Sequence, residues 1–446
     1  MKKQLTLYGI IIILSGVALL LFFDYRELSL EKKVEKKQNN VPVLTDKTPI
    51  EAGEMPPANE TNDNALQNAA SKDASSNSKD IVSKKDKEQP EDAKKSILQH
   101  KSFPPPDSTI TLNDIPNIFD IAKDKEKVNM WLKKSGSKMM MEKLLQDAGG
   151  GAQIDCHQEA HLLGRTAYAL FGAKAFEEGN ASCHSGFYHG AMETFLFEEG
   201  TSNLAEKINN LCNIFNTQFG KFECLHGVGH GVLAFQDYDL PLALETCRIL
   251  ATDYDAHSCY VGIFMENIIT GQGLGAVSAH ETQWVSKDPQ FPCNSISDDY
   301  NVQYQCYQMQ TSWMLQLNNY NFPLVAQECA RVRPDMISTC FKSYGRDAAG
   351  HTLRNNEKIV ELCSHVPRTQ DYYKQCVIGA LNVIVDFWGA GLSDQASGLC
   401  KLINSDEKGT CYSILAGRLE GLYNSSSDIT RICNTFEPQY QFLCSS

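Results

Sequence analysis

Regularly spaced cysteines constrain the fold of this chain more than any other sequence feature. All 16 cysteines of the 446 residues lie between Cys156 and Cys444. An even number of cysteines confined to one part of a chain indicates disulfide bonds formed in an oxidising compartment. No two cysteines have the C-x-x-C spacing typical of structural zinc sites and thioredoxin-like redox sites, so we expect them to be structural.

Twelve of the cysteines form closely spaced pairs whose members are 11 to 13 residues apart. The first members recur every 33 to 37 residues, except across a longer gap from Cys247 to Cys329, and this period is typical of stacked helical hairpins. The residues four before and three after each first cysteine are apolar, as on the buried face of a helix. Each unit is therefore predicted to be helix A, a turn and helix B. The predicted bonds within these hairpins are Cys212–Cys224, Cys247–Cys259, Cys329–Cys340, Cys363–Cys376, Cys400–Cys411 and Cys433–Cys444.

Four cysteines fall outside this hairpin pattern. Cys293 is followed 13 residues later by Cys306, and we predict that a bond between them pins an insertion near 270–300. A long ordered insertion is often functional, although a simple connector has the same sequence pattern. A bond between Cys156 and Cys183 follows by exclusion.

The hairpin pattern resembles that of disulfide-bridged tetratricopeptide-like repeat proteins over residues 204–446. The W…LG…Y…P signature of true tetratricopeptide repeats is absent, so the resemblance concerns architecture and carries no functional residues. The fold class that it implies is all-α, an α-solenoid of stacked helical-hairpin repeats. It also implies a surface able to bind a protein partner, usually on the concave face.

The chain before the cysteines is predicted to be a membrane anchor and a stalk. Residues 5–23 contain no charge and are long enough to cross a bilayer, and Lys2 and Lys3 before them favour a cytoplasmic N-terminus. A cleaved signal peptide is the alternative, but no small-x-small cleavage site ends the apolar stretch. Residues 28–110 are rich in Lys, Glu, Asp, Asn, Ser and Pro, which predicts a disordered stalk.

The predicted domains follow one another along the chain. They are a cytoplasmic tip and transmembrane signal anchor at 1–27, the stalk at 28–110, a helical part at 111–203 and the disulfide-linked hairpins at 204–446. This order predicts a single-pass membrane protein whose C-terminal ectodomain lies outside the cytoplasm. The net charge of −13, without a basic tract in the folded part, argues against nucleic acid as a partner.

Histidine is concentrated in one part of the chain, because eight of the 11 histidines lie between residues 157 and 280. Three segments that each follow a cysteine contain a pair of possible ligands four residues apart: His157 with His161, His189 with Glu193, and His226 with His230. His184 lies one turn or more before His189. The position of His230 is occupied in later units by Met265, Ser312, Arg346, Asn382 and Gly417. The hairpin scaffold therefore does not require histidine at that position.

Paired histidines on one helix are a common way to bind a metal ion. Imidazoles four residues apart can bind one ion from a single helix face, and imidazole binds zinc, copper, iron and nickel. We therefore predict a site for a transition metal ion (Cu, Zn or Fe), with haem as the alternative cofactor. The predicted ligands are His157, His161, His184, His189, Glu193, His226 and His230. Glu159, Glu193 and Glu223 are candidates for ligand, orienting residue or general base.

Two functions from different classes remain open from the sequence. In the first, the ectodomain binds a transition metal or haem and uses it as an oxidoreductase or a hydrolase. In the second, it is a cell-surface protein-binding scaffold whose histidines form a buried polar network without catalysis. No C-x-x-C-H motif supports covalent haem, and no G-x-S-x-G or P-loop motif stands in a suitable context. The insertion, which contains His280, is a candidate lid over the histidines.

Overall fold

The computed structural model describes the C-terminal part of the chain in six stretches. They are residues 106–149, 156–180, 182–273, 282–392, 395–423 and 425–444. These stretches contain α-helices and short 3-10 helices and no β-strand, which confirms the all-α fold class. None of the helices in these stretches is long and apolar enough to cross a membrane. The predicted anchor at 5–23, most of the predicted stalk and His280 lie outside the described residues.

Five helices precede the regular hairpins. They are α1 (Ile118–Ile121), α2 (Lys125–Asp147), α3 (His157–Phe171), α4 (Lys174–Glu178) and α5 (Gly186–Glu199). The Asp107 amide donates a hydrogen bond to the Lys134 carbonyl at 2.8 Å, and Ile110 packs against the core. The folded part therefore includes residues that composition alone assigns to the stalk.

Except at the insertion near 270–300, the later helices alternate between short A helices and longer B helices. In chain order they are α6 (Leu204–Cys212), α7 (Gln218–Phe235), α8 (Leu240–Arg248), α9 (Asp253–Gly271), α10 (Tyr300–Leu317), α11 (Phe322–Cys329), α12 (Ile337–His351), α13 (Asn356–Cys363), α14 (Tyr372–Leu392), α15 (Gln395–Leu402), α16 (Ser405–Leu422) and α17 (Ser426–Cys433), followed by a 3-10 helix (Pro438–Cys444). Several A helices begin at a polar cap: the side chains of Asp239, Asn321 and Asn355 each accept a hydrogen bond from a backbone amide of the first turn. Such caps satisfy amides that have no partner within the helix.

All 16 cysteines are paired, in the seven bonds predicted from their spacing and in the bond between Cys156 and Cys183 predicted by exclusion. Five of the hairpin bonds join the end of a helix A to a helix B, and the bond between Cys433 and Cys444 joins α17 to the final 3-10 helix. Each of these six bonds spans 11 to 13 residues. Closing a loop of that size stabilises a fold by about 3 kcal/mol in the chain-entropy model.

Within the predicted insertion near 270–300, the described residues 282–299 contain no helix A. Residues 282–299 form turns, while α9 extends to Gly271 and α10 carries the second cysteine of the Cys293–Cys306 bond. The segment is held to α10, because the Gln310 side chain donates to the carbonyls of Pro289 at 2.9 Å and Phe291 at 2.8 Å. These contacts describe an ordered connector that leads directly into a helix B.

The B helices form a closed ring. Contacts run from α7 to α9, α10, α12, α14 and α16 in turn, and α16 contacts α7 again. Helices α3 and α5 extend the series on the other side of α7, since α3 contacts α5 and α5 contacts α7. The inner faces of the B helices therefore surround one interior space, and the short A helices of the hairpins pack against individual B helices.

Candidate metal centre

Five histidines from three adjacent helices converge on one place. His157 and His161 come from α3, His189 from α5, and His226 and His230 from α7. Their ring centroids are 4.6 to 5.8 Å apart for each neighbouring pair. Four of the five side chains are buried, and the fifth, His157, is half-buried. The i, i+4 spacing puts both members of each helical pair on the same helix face.

Glycines allow the helices that carry these histidines to pack backbone against backbone. A Cβ on Gly164 of α3 would lie 1.9 Å from the Phe187 carbonyl oxygen of α5. A Cβ on Gly190 of α5 would lie 2.0 Å from the carbonyl oxygen of His161. Since real Cβ atoms do not approach so closely, only glycine permits this crossing, which brings His161 next to His189.

Glu193 and Arg165 fix the orientation of His161. The Nδ1 atom of His161 lies 2.9 Å from one carboxylate oxygen of Glu193, and Arg165 donates to the other oxygen at 2.9 Å. Burial opposes ionisation of this carboxyl, but the charges and hydrogen bonds of His161 and Arg165 outweigh it and lower the pKa of Glu193 to about 2. Glu193 is therefore an orienting carboxylate, and both of its oxygens are occupied.

His230 has an equivalent carboxylate partner, which the sequence analysis did not identify. Its Nδ1 atom lies 2.9 Å from a carboxylate oxygen of Glu266 on α9. The other Glu266 oxygen accepts hydrogen bonds from the Tyr238 hydroxyl at 2.9 Å and from the Thr270 hydroxyl at 3.2 Å. In the following unit, Met265 occupies the position equivalent to that of His230, and Glu266 comes directly after it. No other feature of the sequence points to Glu266. Carboxylates behind histidine in this way are characteristic of metal-binding imidazoles.

The hydrogen bonds of the Nδ1 atoms direct the Nε2 atoms into the cluster. His157 makes the third such contact, with its Nδ1 atom 2.8 Å from the Cys183 carbonyl oxygen. A carbonyl oxygen only accepts, so His157 donates from Nδ1 and its neutral form has a lone pair on Nε2. The Nε2 atoms of His157 and His161 are 3.2 Å apart, and those of His226 and His230 are 3.0 Å apart. Two nitrogens bound to one tetrahedral zinc ion lie about 3.3 Å apart, so each pair needs only a small shift to share an ion.

His189 lies between the two pairs and has no hydrogen bond on either ring nitrogen, although both nitrogens are buried. Nδ1 of His226 is buried without a hydrogen bond as well. In two sets of three histidines, the ligand atoms, one from each residue, lie within 4.8 Å of one another. The first set is His157, His161 and His189, and the second is His189, His226 and His230, so His189 belongs to both. A buried polar atom without a hydrogen bond is destabilising, so such a set is well suited to hold a cation.

Burial keeps several of these imidazoles neutral. The pKa values of His157, His189 and His226 are far below the usual value, mainly because burial disfavours the charged ring and secondly because the neighbouring histidines repel a further charge. The neutral imidazole is the form that binds metal ions, so protons do not compete strongly for these nitrogens near neutral pH.

Three other residues proposed from the sequence lie in different surroundings. The ring of His184 is 6.2 Å from that of His157, and this residue belongs to neither set of three. Glu159 lies two residues from His157 and from His161 on α3, and residues two apart do not share a helix face. Glu223 lies beside the cluster, with a carboxylate oxygen 3.4 Å from Nε2 of His189. The structure thus places Glu223, of the three glutamates proposed as a base, next to an unbonded imidazole nitrogen.

The histidine cluster opens onto the interior space of the ring. A cavity of about 410 Å³ has His184, His189, Glu223 and His226 in its wall. A smaller cavity of about 230 Å³ adjoins it and is lined by His157 and His184. An ion held by the cluster would therefore be within reach of a small molecule in these cavities.

In comparisons with known proteins, no protein-family model, no curated protein and no solved structure matches this chain. The resemblance to tetratricopeptide-like repeats thus rests on the helical-hairpin architecture and its disulfides, and the site must be interpreted from its own geometry.

Proposed function

We propose that this protein binds a transition metal ion (zinc, copper or iron) through His157, His161, His189, His226 and His230, and that the ion faces the central cavity. One observation carries the proposal: both ring nitrogens of His189 are buried without a hydrogen bond, and His189 belongs to two sets of three histidines whose ligand atoms lie within 4.8 Å of one another. A purely structural histidine network would be expected to satisfy these nitrogens within the protein.

The arrangement favours a bare ion over haem. Two sets of three nitrogens share one histidine, so the cluster has room for one ion in either set or for two ions with His189 between them. Haem requires a flat slot with one or two axial imidazoles, whereas here five imidazole rings crowd together at centroid distances of 4.6 to 5.8 Å.

The open cavity supports a reactive centre over a purely structural one. A bound ion of this kind polarises a substrate oxygen, activates water, or exchanges electrons if it is copper or iron. His189 and His226 line the cavity, and Glu223 lies beside them as a candidate to accept or deliver a proton. We therefore favour a metal-dependent oxidoreductase or hydrolase acting on a small molecule. The eight disulfides support an oxidising compartment as the environment of the proposed site.

Metal analysis of the full-length chain tests the proposal. The protein is purified without a histidine tag or nickel resin, and its metal content is measured by inductively coupled plasma mass spectrometry. We expect at least one ion of zinc, copper or iron per chain. The double variant His226→Ala/His230→Ala should lose it, whereas His365→Ala, which removes an exposed histidine outside the cluster, should keep it.

Folding of the variants is monitored by circular dichroism, and the conservative variant His226→Gln replaces the double variant if the latter does not fold. A wild-type protein that binds none of these ions, even after incubation with each of them, would refute the proposal. The histidines would then be a polar network, and a protein-binding scaffold would be the function to pursue.

A further inference from the structure

We propose that the central cavity binds a small oxyanion, a carboxylate or phosphoryl group, through Lys342, Arg346 and Arg418. This inference rests on the proposed function in one respect, since it names the class of ligand that would meet the metal ion. The anion site itself consists of protein side chains and can be tested in protein from which metal has been removed.

The charge of the cavity wall is opposite to that of the whole chain. Among the described residues, the wall of the larger cavity contains three basic side chains, Lys342, Arg346 and Arg418, and a single carboxylate, Glu223. The chain as a whole has a net charge of −13. Cations concentrated in a concave, partly desolvated place attract anions more strongly than the same cations on an open surface.

The repeat architecture explains why these cations face the histidines. Lys342 and Arg346 stand two and six residues after Cys340, and His226 and His230 stand two and six residues after Cys224. They thus occupy equivalent positions on the B helices α12 and α7.

The helix crossings have the same geometry in both places. A Cβ on Gly262 of α9 would lie 1.9 Å from the carbonyl oxygen of His226, and a Cβ on Gly379 of α14 would lie 1.8 Å from that of Lys342. Equivalent positions on the two B helices therefore carry imidazoles on α7 and basic side chains on α12, and both groups face the interior space of the helix ring.

Arg346 is held in place and still has a poorly satisfied donor. Its Nε and one terminal nitrogen donate to Asp347 at 3.0 and 2.7 Å, and that nitrogen also donates to the Ser312 hydroxyl at 2.6 Å. Among the described residues, the other terminal nitrogen contacts only the thioether sulfur of Met309, which is a weak acceptor. An oxyanion in the cavity would be a much better partner for this N–H group.

Asp347 is itself fixed, because it accepts hydrogen bonds from the Thr311 hydroxyl at 2.6 Å and the Ser312 hydroxyl at 2.9 Å. Its charge partly offsets that of Arg346. Lys342 and Arg418 line the cavity as well, so the described residues of the wall contain three basic side chains and one carboxylate, that of Glu223.

Arg418 belongs to the last long helix of the ring. Its helix, α16, contacts α7, which carries His226 and His230. The closing of the ring thus brings a cation from the C-terminal end of the chain to the cavity of the histidine cluster.

Uncharged donors, including the side chains of Asn382 and Gln308, complete the wall. The volume of about 410 Å³ is within the usual range for small-molecule sites and excludes a folded macromolecule.

Calorimetric titration of the full-length chain tests this inference. Metal is removed with a chelator, the chelator is removed by dialysis, and the protein is titrated with inorganic phosphate and, separately, with succinate. We expect at least one of these probes to bind. Binding of phosphate alone would identify a phosphoryl ligand, binding of succinate alone a carboxylate ligand, and binding of both a general oxyanion site.

Charge-neutralising variants locate the site. Lys342→Gln and Arg418→Gln should each weaken the binding of the probe by about tenfold, since each removes a charge-assisted hydrogen bond. The matched controls Lys358→Gln and Arg331→Gln make the same charge changes at exposed positions outside the cavity, and should alter the dissociation constant by less than about twofold. Circular dichroism confirms that each variant is folded.

Two results would overturn the inference: no binding of either probe up to about 10 mM, or equal weakening in cavity variants and controls. The metal content of the same protein is measured and interpreted independently of anion binding. Metal binding without anion binding would refute this inference alone, and anion binding without metal binding would refute the proposed function alone.

Discussion

At the scale of single residues, two glutamates determine how the histidine cluster is organised. Glu193 orients His161 and Glu266 orients His230, each through a hydrogen bond of 2.9 Å to Nδ1. Both glutamates are buried. Placing an ionised carboxylate inside a protein is unfavourable unless it is paired, so two such residues behind two histidines indicate that the positions of the Nε2 atoms matter to this protein.

Replacing Glu266 by Gln tests the orienting role directly. The amide keeps the size of the side chain but carries no negative charge, so His230 becomes a weaker and less firmly oriented ligand. We expect metal affinity to fall by about 10- to 100-fold, measured by competition with a chromogenic chelator. The control Glu245→Gln changes an exposed glutamate that pairs with Arg248, and should leave metal affinity unchanged. Equal affinity in Glu266→Gln and the wild type would show that His230 does not bind the ion.

The metal-free protein should lose stability as the pH falls from 7 to 5. Burial lowers the pKa of His157, His189 and His226, and it lowers the pKa of His184, with help from Arg354 and Arg346, to about 3. In the unfolded chain these rings titrate near pH 6.5, so below that pH the unfolded state binds more protons and folding becomes less favourable.

Each such histidine contributes at most about 1.4 kcal/mol per pH unit to this loss. The melting temperature, recorded by differential scanning calorimetry, should therefore decrease between pH 7 and pH 5. His184→Gln should make the decrease less steep, whereas His365→Gln, at an exposed position, should not. The lowered pKa of Glu193 affects stability only at more acidic pH. A melting temperature independent of pH over this range would contradict the burial of these rings as neutral groups.

At the scale of helices, glycines at the crossings are as important to the site as the histidines. A Cβ on Gly229 of α7 would lie 2.0 Å from the Cys259 carbonyl oxygen of α9. This crossing holds α7 against α9 and so brings Glu266 within reach of His230. Any larger residue must move one helix away from the other, because the obstacle is backbone and not a flexible side chain.

Gly229→Ala should accordingly destabilise the protein by about 1–3 kcal/mol and reduce metal binding. The matched control is Gly417→Ala in α16, where a Cβ meets nothing within 4 Å. Alanine is the better helix former, so this control should be stabilised by about 0.5–1 kcal/mol. Denaturant unfolding measures both effects. A Gly229→Ala variant as stable as the control would show that the close crossing is not required.

The sequence predicted the helical hairpins and the disulfide pairs because both depend on local spacing. The position of a cysteine within its unit determines its partner about a dozen residues away, and the same register places His226 and His230 on one helix face. Glu266 and Arg418 could not be found in this way. Their contributions to the site depend on how distant helices meet, and Arg418 reaches the cavity only because the ring closes on α7.

At the scale of the whole molecule, the repeat architecture predicts that the disulfides contribute locally. Each hairpin contacts mainly its neighbours, so removing a bond should affect the nearest helices most. Replacing Cys433 and Cys444 by Ser should destabilise the last hairpin by about 3 kcal/mol and leave metal binding intact. Replacing Cys212 and Cys224 should abolish metal binding, because that bond supports α7.

Metal content and thermal unfolding of the two double variants are compared side by side. Each removes one hairpin bond of similar loop length, 11 residues in one case and 12 in the other, so each serves as the control for the other. Loss of metal in both variants would show that the closed ring, and not the individual hairpin, is the unit that maintains the site.

The eight disulfides indicate an oxidising environment for the folded part of the chain. The membrane anchor stays a prediction from the sequence, because residues 5–23 are uncharged and long enough to cross a bilayer, and Lys2 and Lys3 favour a cytoplasmic N-terminus. We predict that protease added to intact cells cuts the stalk between 31 and 106 and releases a compact fragment that retains its disulfides and its metal ion. The fragment is detected by non-reducing electrophoresis and mass spectrometry, with a cytoplasmic protein as the control for cell integrity. If the C-terminal part is protected from the protease, the orientation is reversed, and the oxidising environment that the disulfides need must be sought on the other side of the membrane.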